Sequence, residues 1–539
     1  MPAPFTPPPF LALEYQLDYH FTHNPSYPVV LHPSTDGTHV VYTYSDLVPR
    51  VHKVAHYIRD QMENSGHCSA SPPIIAILCQ MDSFTTFLLI MGILRAGMTV
   101  FPISPRFSLT VVAHLIDSVK PSQILVNGNS YPFVLEALKL LKDKHVPGLL
   151  QAPASDFLFS ECNGRADFPQ HTRDINDTAF IVHSSSSSAL FPKTINRSAY
   201  FMLKDAEIID YAYELVVGKI FGLQGLELFH TSGLMFLSWM PRSGFIMAML
   251  NPKDKSSVSP PSPNTIYNGF VQTKPSFAWV SPALIETWAF DSEERTIDLL
   301  KPMNGVITGG RRLNAGVGVA LAKKGVRINT LYGSTENGIV GIISENTGDD
   351  WEYFCAPPIP ELKFTSRPDG LYTLKVLSTE NRDIFMKHPI KENHYIVVGR
   401  IGDQIMLSSG QMASSSNLSV FLKITPSAKQ VNPVPIEEML CRILKLESAL
   451  LFGQSRKHLG VLVQPCETAG LNVEQVRTAI QHINPKLSLH SRISEQLILL
   501  AQPTKPILQS PKGMPRRALA LKDYENEIHC LYLEKYPVA

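Results

Sequence analysis

Apolar residues in this chain group into two kinds of segment that take turns along most of its length. PIIAILC (73–79), AFIVHS (179–184), FAWV (277–280), NGVIT (304–308) and RINTLYG (327–333) are short runs, and the first two are apolar and rich in Ile and Val. PIIAILC and AFIVHS lack the polar–apolar alternation of a half-exposed strand, so they read as strands buried on both faces, and the other three continue the series. SFTTFLLIMGILRAG (83–97), VVAHLIDSVK (111–120), PALIETWAF (282–290) and VGVALAKKG (317–325) lie between them and place apolar residues at helical spacing. Strand and helix alternating in this way predict an α/β fold with mostly parallel sheets and helices on both faces. The stretch up to about Pro28, where Pro and Phe mix without a helical period, reads as turn-rich. KDKSSVSPPSPNT (253–265) reads as a surface loop. A domain boundary is expected near Gly399–Asp403, giving a large domain over 1–400 and a smaller unit over 401–539. The smaller unit contains the strand-like HLGVLVQP, a helix around Val473–Ile483 and a last helix at Leu519–Tyr532.

A chain of 539 residues exceeds what one hydrophobic core organises, which agrees with two domains. Formal charge is +1, from 48 basic and 47 acidic residues, so electrostatics supply no case for a nucleic-acid or membrane-surface partner. The apolar stretches LMFLSWM and FIMAML are interrupted by Pro241, Arg242 and Gly244, and no bilayer span is expected. Seven scattered cysteines without CxxC spacing suit a reducing compartment, and a cytoplasmic protein is expected.

Three segments can carry chemistry. In IVHSSSSSALFPKTI (181–195) a strand runs into five serines, Ser184 to Ser188, followed by Pro192 and Lys193. Hydroxyls and backbone N–H groups at a strand end can hold phosphate oxygens, with the lysine supplying charge; a solvated Ser-rich loop is the alternative. VITGGRRL (306–313) places Gly309 and Gly310 after an apolar strand, where a planar ligand could approach the backbone. LYGSTENG (331–338) offers Thr335 as a phosphate contact and Glu336 as a magnesium ligand after the Gly333 turn. Glycine also closes strands in α/β proteins at large. In PKGMPRRALALKDYENEI (511–528), Lys512 opens a helix with apolar and charged faces, a pattern equally suited to a plain basic helix start.

Taken together and in this order, the segments resemble the adenylate-forming superfamily of acyl-CoA synthetases and non-ribosomal adenylation domains. The likeness is strongest to adenylation domains of fungal adenylate-forming reductases, the aminoadipate-reductase-like group. LLIMGILRAGMTVFPISPRFS (88–108) is similar to an early core segment of the family, and LFHTSGL (228–234) to its substrate-side histidine motif. LYGSTENG is similar to its adenine and magnesium motif, GRIGDQIMLSSG (399–410) with NPVPIEEML (432–440) to its hinge region, and PKGMPRR to the segment with the catalytic lysine. The resemblance implies a large N-terminal domain, a small mobile α+β C-terminal domain, and activation of a carboxylic acid with ATP and Mg²⁺. It implies that Ser184, Ser185, Ser186, Ser187, Ser188 and Lys193 hold the β- and γ-phosphates. Gly309, Gly310, Arg311, Tyr332 and the Gly333–Ser334 turn would frame the adenine, with Tyr332 stacking. Thr335 would touch the α-phosphate, Glu336 bind Mg²⁺, Asp383 and Arg400 hold the ribose, Lys512 stabilise developing charge, and His230 line the acyl pocket. Coenzyme A, or phosphopantetheine on a separate carrier protein, would accept the acyl group.

The chain departs from the family pattern at four places. HSSSSSALFPK has no glycine between its hydroxyl residues and is one residue longer, and Gly402 stands where relatives carry Asp or Lys. A segment over 412–430 intervenes before NPVPIEE, and VLSTENRDIF (376–385) is shortened. No carrier-domain serine motif and no GxGxxG fingerprint follow the lysine segment. Two readings result: an acid-activating ligase, or a catalytically impaired relative or fragment of an adenylate-forming reductase.

Overall fold

The structure, a computed structural model, describes residues 5–536 apart from 35, 65–71, 143–144, 161–167, 171–172, 185–190, 255–257, 259, 345–347, 368–369, 377–378, 404, 408–428, 467–469 and 511–512. It divides into one unit of residues 1–184 with 191–358 and another of 359–539 with 185–190.

Two large sheets organise the first unit. The six-stranded sheet runs in the order Gly148–Gln151, Gln123–Val126, Ile74–Ile77, Thr99–Pro102, Thr178–His183, Thr194–Ser198. All its neighbours are parallel except the last pair, an antiparallel hairpin. The seven-stranded sheet runs Ile328–Leu331, Gly305–Gly309, Phe277–Trp279, Ile220–Gly222, Ile246–Ala248, Pro28–Pro33, His39–Thr43, again parallel except at its terminal hairpin. The expected α/β architecture is what the chain adopts. Each apolar run became a strand because burial on both faces removes it from water, at about 1.5–3 kcal/mol for each large side chain fully buried.

The helix Ser83–Arg95 is apolar all round and buried almost throughout, as a helix in the middle of a core must be. The Asp82 carboxylate caps it by accepting from the Thr85 N–H at 2.8 Å. Gly92 lets the helix Tyr44–Asn64 approach, since a Cβ there would lie 2.3 Å from Val54 Cγ1. The stretch before Pro28 is not all turns: Leu13–His23 is a helix. Its buried face is Leu13, Glu14, Gln16, Leu17 and His20, so polar residues inside the core hide the helical period from a reading of apolar spacing.

In the second unit, Leu362–Ser366, Tyr372–Val376, Thr379–Lys387 and His394–Arg400 form an antiparallel meander. Ile405–Leu407 pairs with Lys429–Val431. Most of the intervening segment singled out over 412–430 lies outside the described residues. Beyond it, Leu446–Phe452 runs antiparallel and Ile493–Leu500 parallel to Leu459–Pro465. The helix over Val473–Ile483 is present as read, opened by an Asn472–Gln475 capping box. The single last helix read at Leu519–Tyr532 is two, Arg517–Asp523 and Glu525–Lys535, meeting at the buried Tyr524.

Candidate functional site

The serine-rich segment joins two paired strands, with His183 opposite Thr194 and Val182 opposite Ile195. The Ser184 N–H donates to the Lys193 carbonyl at 2.8 Å, and the Lys193 N–H donates to Ser184 Oγ at 2.9 Å. Ser184 and the exposed Lys193 are thereby set side by side at the carboxyl end of a parallel strand, where α/β sheets bind ligands. Ser185, Ser186, Ser187 and Ser188 lie outside the described residues.

His183, the last residue of its strand, is fully buried, with Nε2 accepting the Ser104 N–H at 3.3 Å. Because a backbone N–H can only donate, the proton sits on Nδ1, which faces the Ser184 carbonyl at 3.4 Å. Burial lowers the imidazole pKa to about 4, so the ring is neutral. His230 stands edge-on to it, with ring centres 6.2 Å apart, just before the helix Thr231–Ser243. His230 Nε2 is 3.5 Å from Glu227 Oε2, and Glu227 also pairs with Arg106. Arg106 lies 5.7 Å over the Phe229 ring, and burial lowers its pKa.

On the other sheet, a Cβ at Gly309 would meet the Leu331 carbonyl oxygen at 2.4 Å, and Gly310 has φ of +85°. Both positions therefore require glycine. Arg311 is turned onto Glu286, with Nη1 2.9 Å from Oε1 and Nη2 bonded to Oε2. The buried Tyr332 ring stacks on Phe354 at 4.9 Å, and its carbonyl accepts the N–H groups of Val340 and Gly341. Gly333–Ser334 then pairs with Gly338–Ile339, so Thr335, Glu336 and Asn337 form the tip of a small hairpin. Ser334 Oγ accepts the Asn337 N–H at 3.1 Å, and Glu336 is exposed.

Two charged residues that apolar spacing and motif reading passed over reach this tip. Arg197, on the returning strand Thr194–Ser198, donates to the Thr335 carbonyl. Asp205, on the helix Ala199–Ala206, accepts the Ile339 N–H at 2.7 Å. Nothing in their local sequence marks them, since Arg197 is the one buried residue of its strand and Asp205 is a buried charge on a helix that also has exposed positions.

In the second unit, Asp383 and Arg400 face one another across the meander, with Arg400 Nε 2.6 Å from Asp383 Oδ1. Lys512 lies outside the described residues. Its flanks form a tight turn, in which the Ser510 N–H donates to the Met514 carbonyl at 2.7 Å and Gly513 adopts φ of +72°. The first unit thus joins Ser184 and Lys193 to His230 through His183, and to Thr335 and Glu336 through Arg197.

The donor set suits a magnesium nucleotide. Mg²⁺ is commonly held by one or two carboxylates together with substrate phosphates, so an exposed Glu336 needs no protein cage. Among the described residues no group of three or more His, Cys, Asp or Glu could hold a metal ion alone, and no helix is long and apolar enough to cross a membrane.

Comparison with known proteins places the chain. The family described as AMP-binding enzyme matches residues 17–365, and the AMP-binding enzyme C-terminal domain matches 424–535. The adenylate-forming reductase Nps10 of Heterobasidion annosum is 27% identical, over 98% of this chain and 50% of its own length. An adenylate-forming reductase of Aspergillus terreus is 26% identical, over 88% of this chain and 44% of its own. The chain therefore spans about half the length of these relatives. ATP-bound MatB from Rhodopseudomonas palustris shares the fold with a TM-score of 0.71 at 14% identity, covering 96% of this chain and 99% of MatB. The anthranilate CoA ligase AuaEII, solved with anthranoyl-AMP, has a TM-score of 0.67 at 14% identity, covering 96% and 97%. The chain belongs to the AMP-binding enzyme family, within the adenylate-forming superfamily that its ordered motifs resemble.

Proposed function

We propose that the protein activates a small carboxylic acid with ATP and Mg²⁺, forming an acyl-adenylate and pyrophosphate. The observation that carries this reading is the meeting, within one unit, of the Ser184–Lys193 strand end, His230 and the Thr335–Glu336 tip. In the reaction an oxygen of the acid attacks the α-phosphorus; the bond to the bridging oxygen of the β-phosphate breaks, and pyrophosphate leaves. Two anions must approach, so the chain's task is alignment and charge neutralisation.

In this reading Ser184 to Ser188 and Lys193 hold the outer phosphates, and Gly309, Gly310, Arg311, Tyr332, Gly333 and Ser334 frame the adenine. Thr335 contacts the α-phosphate and Glu336 holds Mg²⁺, which neutralises phosphate charge when bound. Asp383 and Arg400 separate from one another to take the ribose hydroxyls. His230 borders the acid, and Lys512 stabilises charge on the attacking carboxylate and α-phosphate oxygens. The working domains in this reading are 1–400 and 401–539, a boundary that falls inside the second compact unit. A later transfer to coenzyme A, or to the phosphopantetheine of a separate carrier protein, would make the protein an acid–thiol ligase of the cytoplasm.

The glycine-free loop favours a second reading, a relative that keeps the fold without turnover, because serine takes up positive φ only at a cost. Calorimetric titration with ATP and Mg²⁺ separates the two without knowledge of the acid. The enzyme reading expects saturable one-site binding that is lost in Glu336→Ala and in Lys193→Ala. A folded protein showing no heat of binding would leave the second reading standing.

A further inference from the structure

Arg197 follows Lys193 by four positions on the strand that closes the phosphate-loop hairpin. Its guanidinium is buried and donates to the Thr335 carbonyl, with Cζ 3.8 Å from the centre of the Phe201 ring. Phe201 and Asp205 are one helical turn apart on Ala199–Ala206, so a single helix face presents both the platform for Arg197 and a second anchor. That anchor is the Asp205 carboxylate, which accepts the Ile339 N–H. It lies so close to Gly338, at φ of +75°, that a Cβ there would sit 2.3 Å from Asp205 Oδ1. The tip is gripped at its entry by one side chain and at its exit by the other.

Burying an arginine and an aspartate is costly unless each finds partners, so their placement needs a reason. Arg197 lies in the field of both Asp205 and Glu336. We propose that Arg197 and Asp205 are positioning residues that fix the Thr335–Glu336 tip relative to Ser184 and Lys193, so that the metal-binding carboxylate and the phosphate-binding lysine are held in register through the strand that Lys193 leads into. This rests on the proposed roles of Thr335, Glu336 and Lys193. Rigid placement matters because Mg²⁺ demands near-ideal octahedral geometry, which a carboxylate on a wandering hairpin meets poorly.

The test compares the full chain with Arg197→Lys, Arg197→Met and Asp205→Asn by ATP titration with saturating Mg²⁺ and again with EDTA. A charged hydrogen bond lost at the tip corresponds to affinity weakened about ten-fold or more with the metal present. Metal-free ATP should bind the variants and the wild type within about two-fold, because the phosphate loop itself is untouched. Arg197→Lys, which keeps the charge but not the fork, should fall between wild type and Arg197→Met. Equal weakening with and without metal would reduce the pair to general support, and no weakening would remove it from the site. Hydrogen exchange supplies a readout independent of nucleotide. In Asp205→Asn the amides of 335–339 should exchange faster by about ten-fold, with Thr178–His183 and Gly305–Gly309 unchanged. If the wild type binds no magnesium nucleotide, the functional reading fails, while unaltered exchange at 335–339 would separately defeat the grip itself.

Discussion

His183 provides a measurable link between the phosphate-loop hairpin and pH. Burial holds the folded imidazole near pKa 4, against 6.5 for the ordinary group. In the folded chain the ring stays neutral as pH falls through 6.5, whereas in the unfolded chain it takes up a proton. Between these two values the unfolded state binds more protons, so acidification costs stability and alkalinisation restores it. The full difference is about 3 kcal/mol once pH lies below both values, and about 2 kcal/mol has accrued by pH 5. His183→Gln removes this titration while keeping an acceptor for the Ser104 N–H and a donor for the Ser184 carbonyl. The assay is urea unfolding of both proteins from pH 7.5 to pH 5. The buried His20, also held near pKa 4 by burial, and the buried carboxyls are common to both chains and cancel in the difference. The wild type should lose about 2 kcal/mol relative to His183→Gln across that range. A stability difference that does not change with pH would refute the argument, because it would mean the ring is protonated in the fold or accessible to water.

Two further outcomes test other parts of the chain. Lys512→Ala should slow acyl-adenylate formation by about 10²–10³-fold, the scale of removing a charge stabiliser from a transition state, with the unfolding midpoint unmoved; equal rates would take Lys512 out of the mechanism. In the second unit the buried Glu437 accepts from the Leu451 N–H and binds the Arg517 guanidinium, which also donates to the Leu451 carbonyl at 3.0 Å. Glu437→Ala strands that cation and should cost about 3–5 kcal/mol in circular-dichroism unfolding, with Arg517→Met added to it restoring part of the loss.

The elements that could be read from the chain are those whose neighbours are uniformly apolar. AFIVHS and NGVIT became strands within a residue or so of the expected limits, because burial on both faces leaves one signature. The helix Leu13–His23 escaped because Glu14, Gln16 and His20 point inward, so its buried face is not an apolar one. His20 faces the Pro241 carbonyl at 2.6 Å, and no local pattern encodes a contact of that span. The same limit applied at the site. Ser184, Lys193, Thr335 and Glu336 stand in motifs, but Arg197 and Asp205 owe their meaning to a hairpin tip more than a hundred positions away. His183 was visible only as the last residue of an apolar strand, and nothing in the sequence indicated that its two nitrogens would be committed to opposite sides.

The two hydrogen bonds joining Ser184 to Lys193 also bear on how this family can change. They complete the ladder at the base of the serine loop, so the pairing of Thr178–His183 with Thr194–Ser198 is settled before the loop begins. Loop closure grows costly only slowly with length, so residues gained, lost or exchanged between Ser184 and Lys193 cost the paired strands little. The glycine-free stretch of HSSSSSALFPK lies between those two residues, where the ladder constrains exchanges least. On the proposed function, nucleotide binding can be re-tuned by exchanges there while the paired strands keep their register.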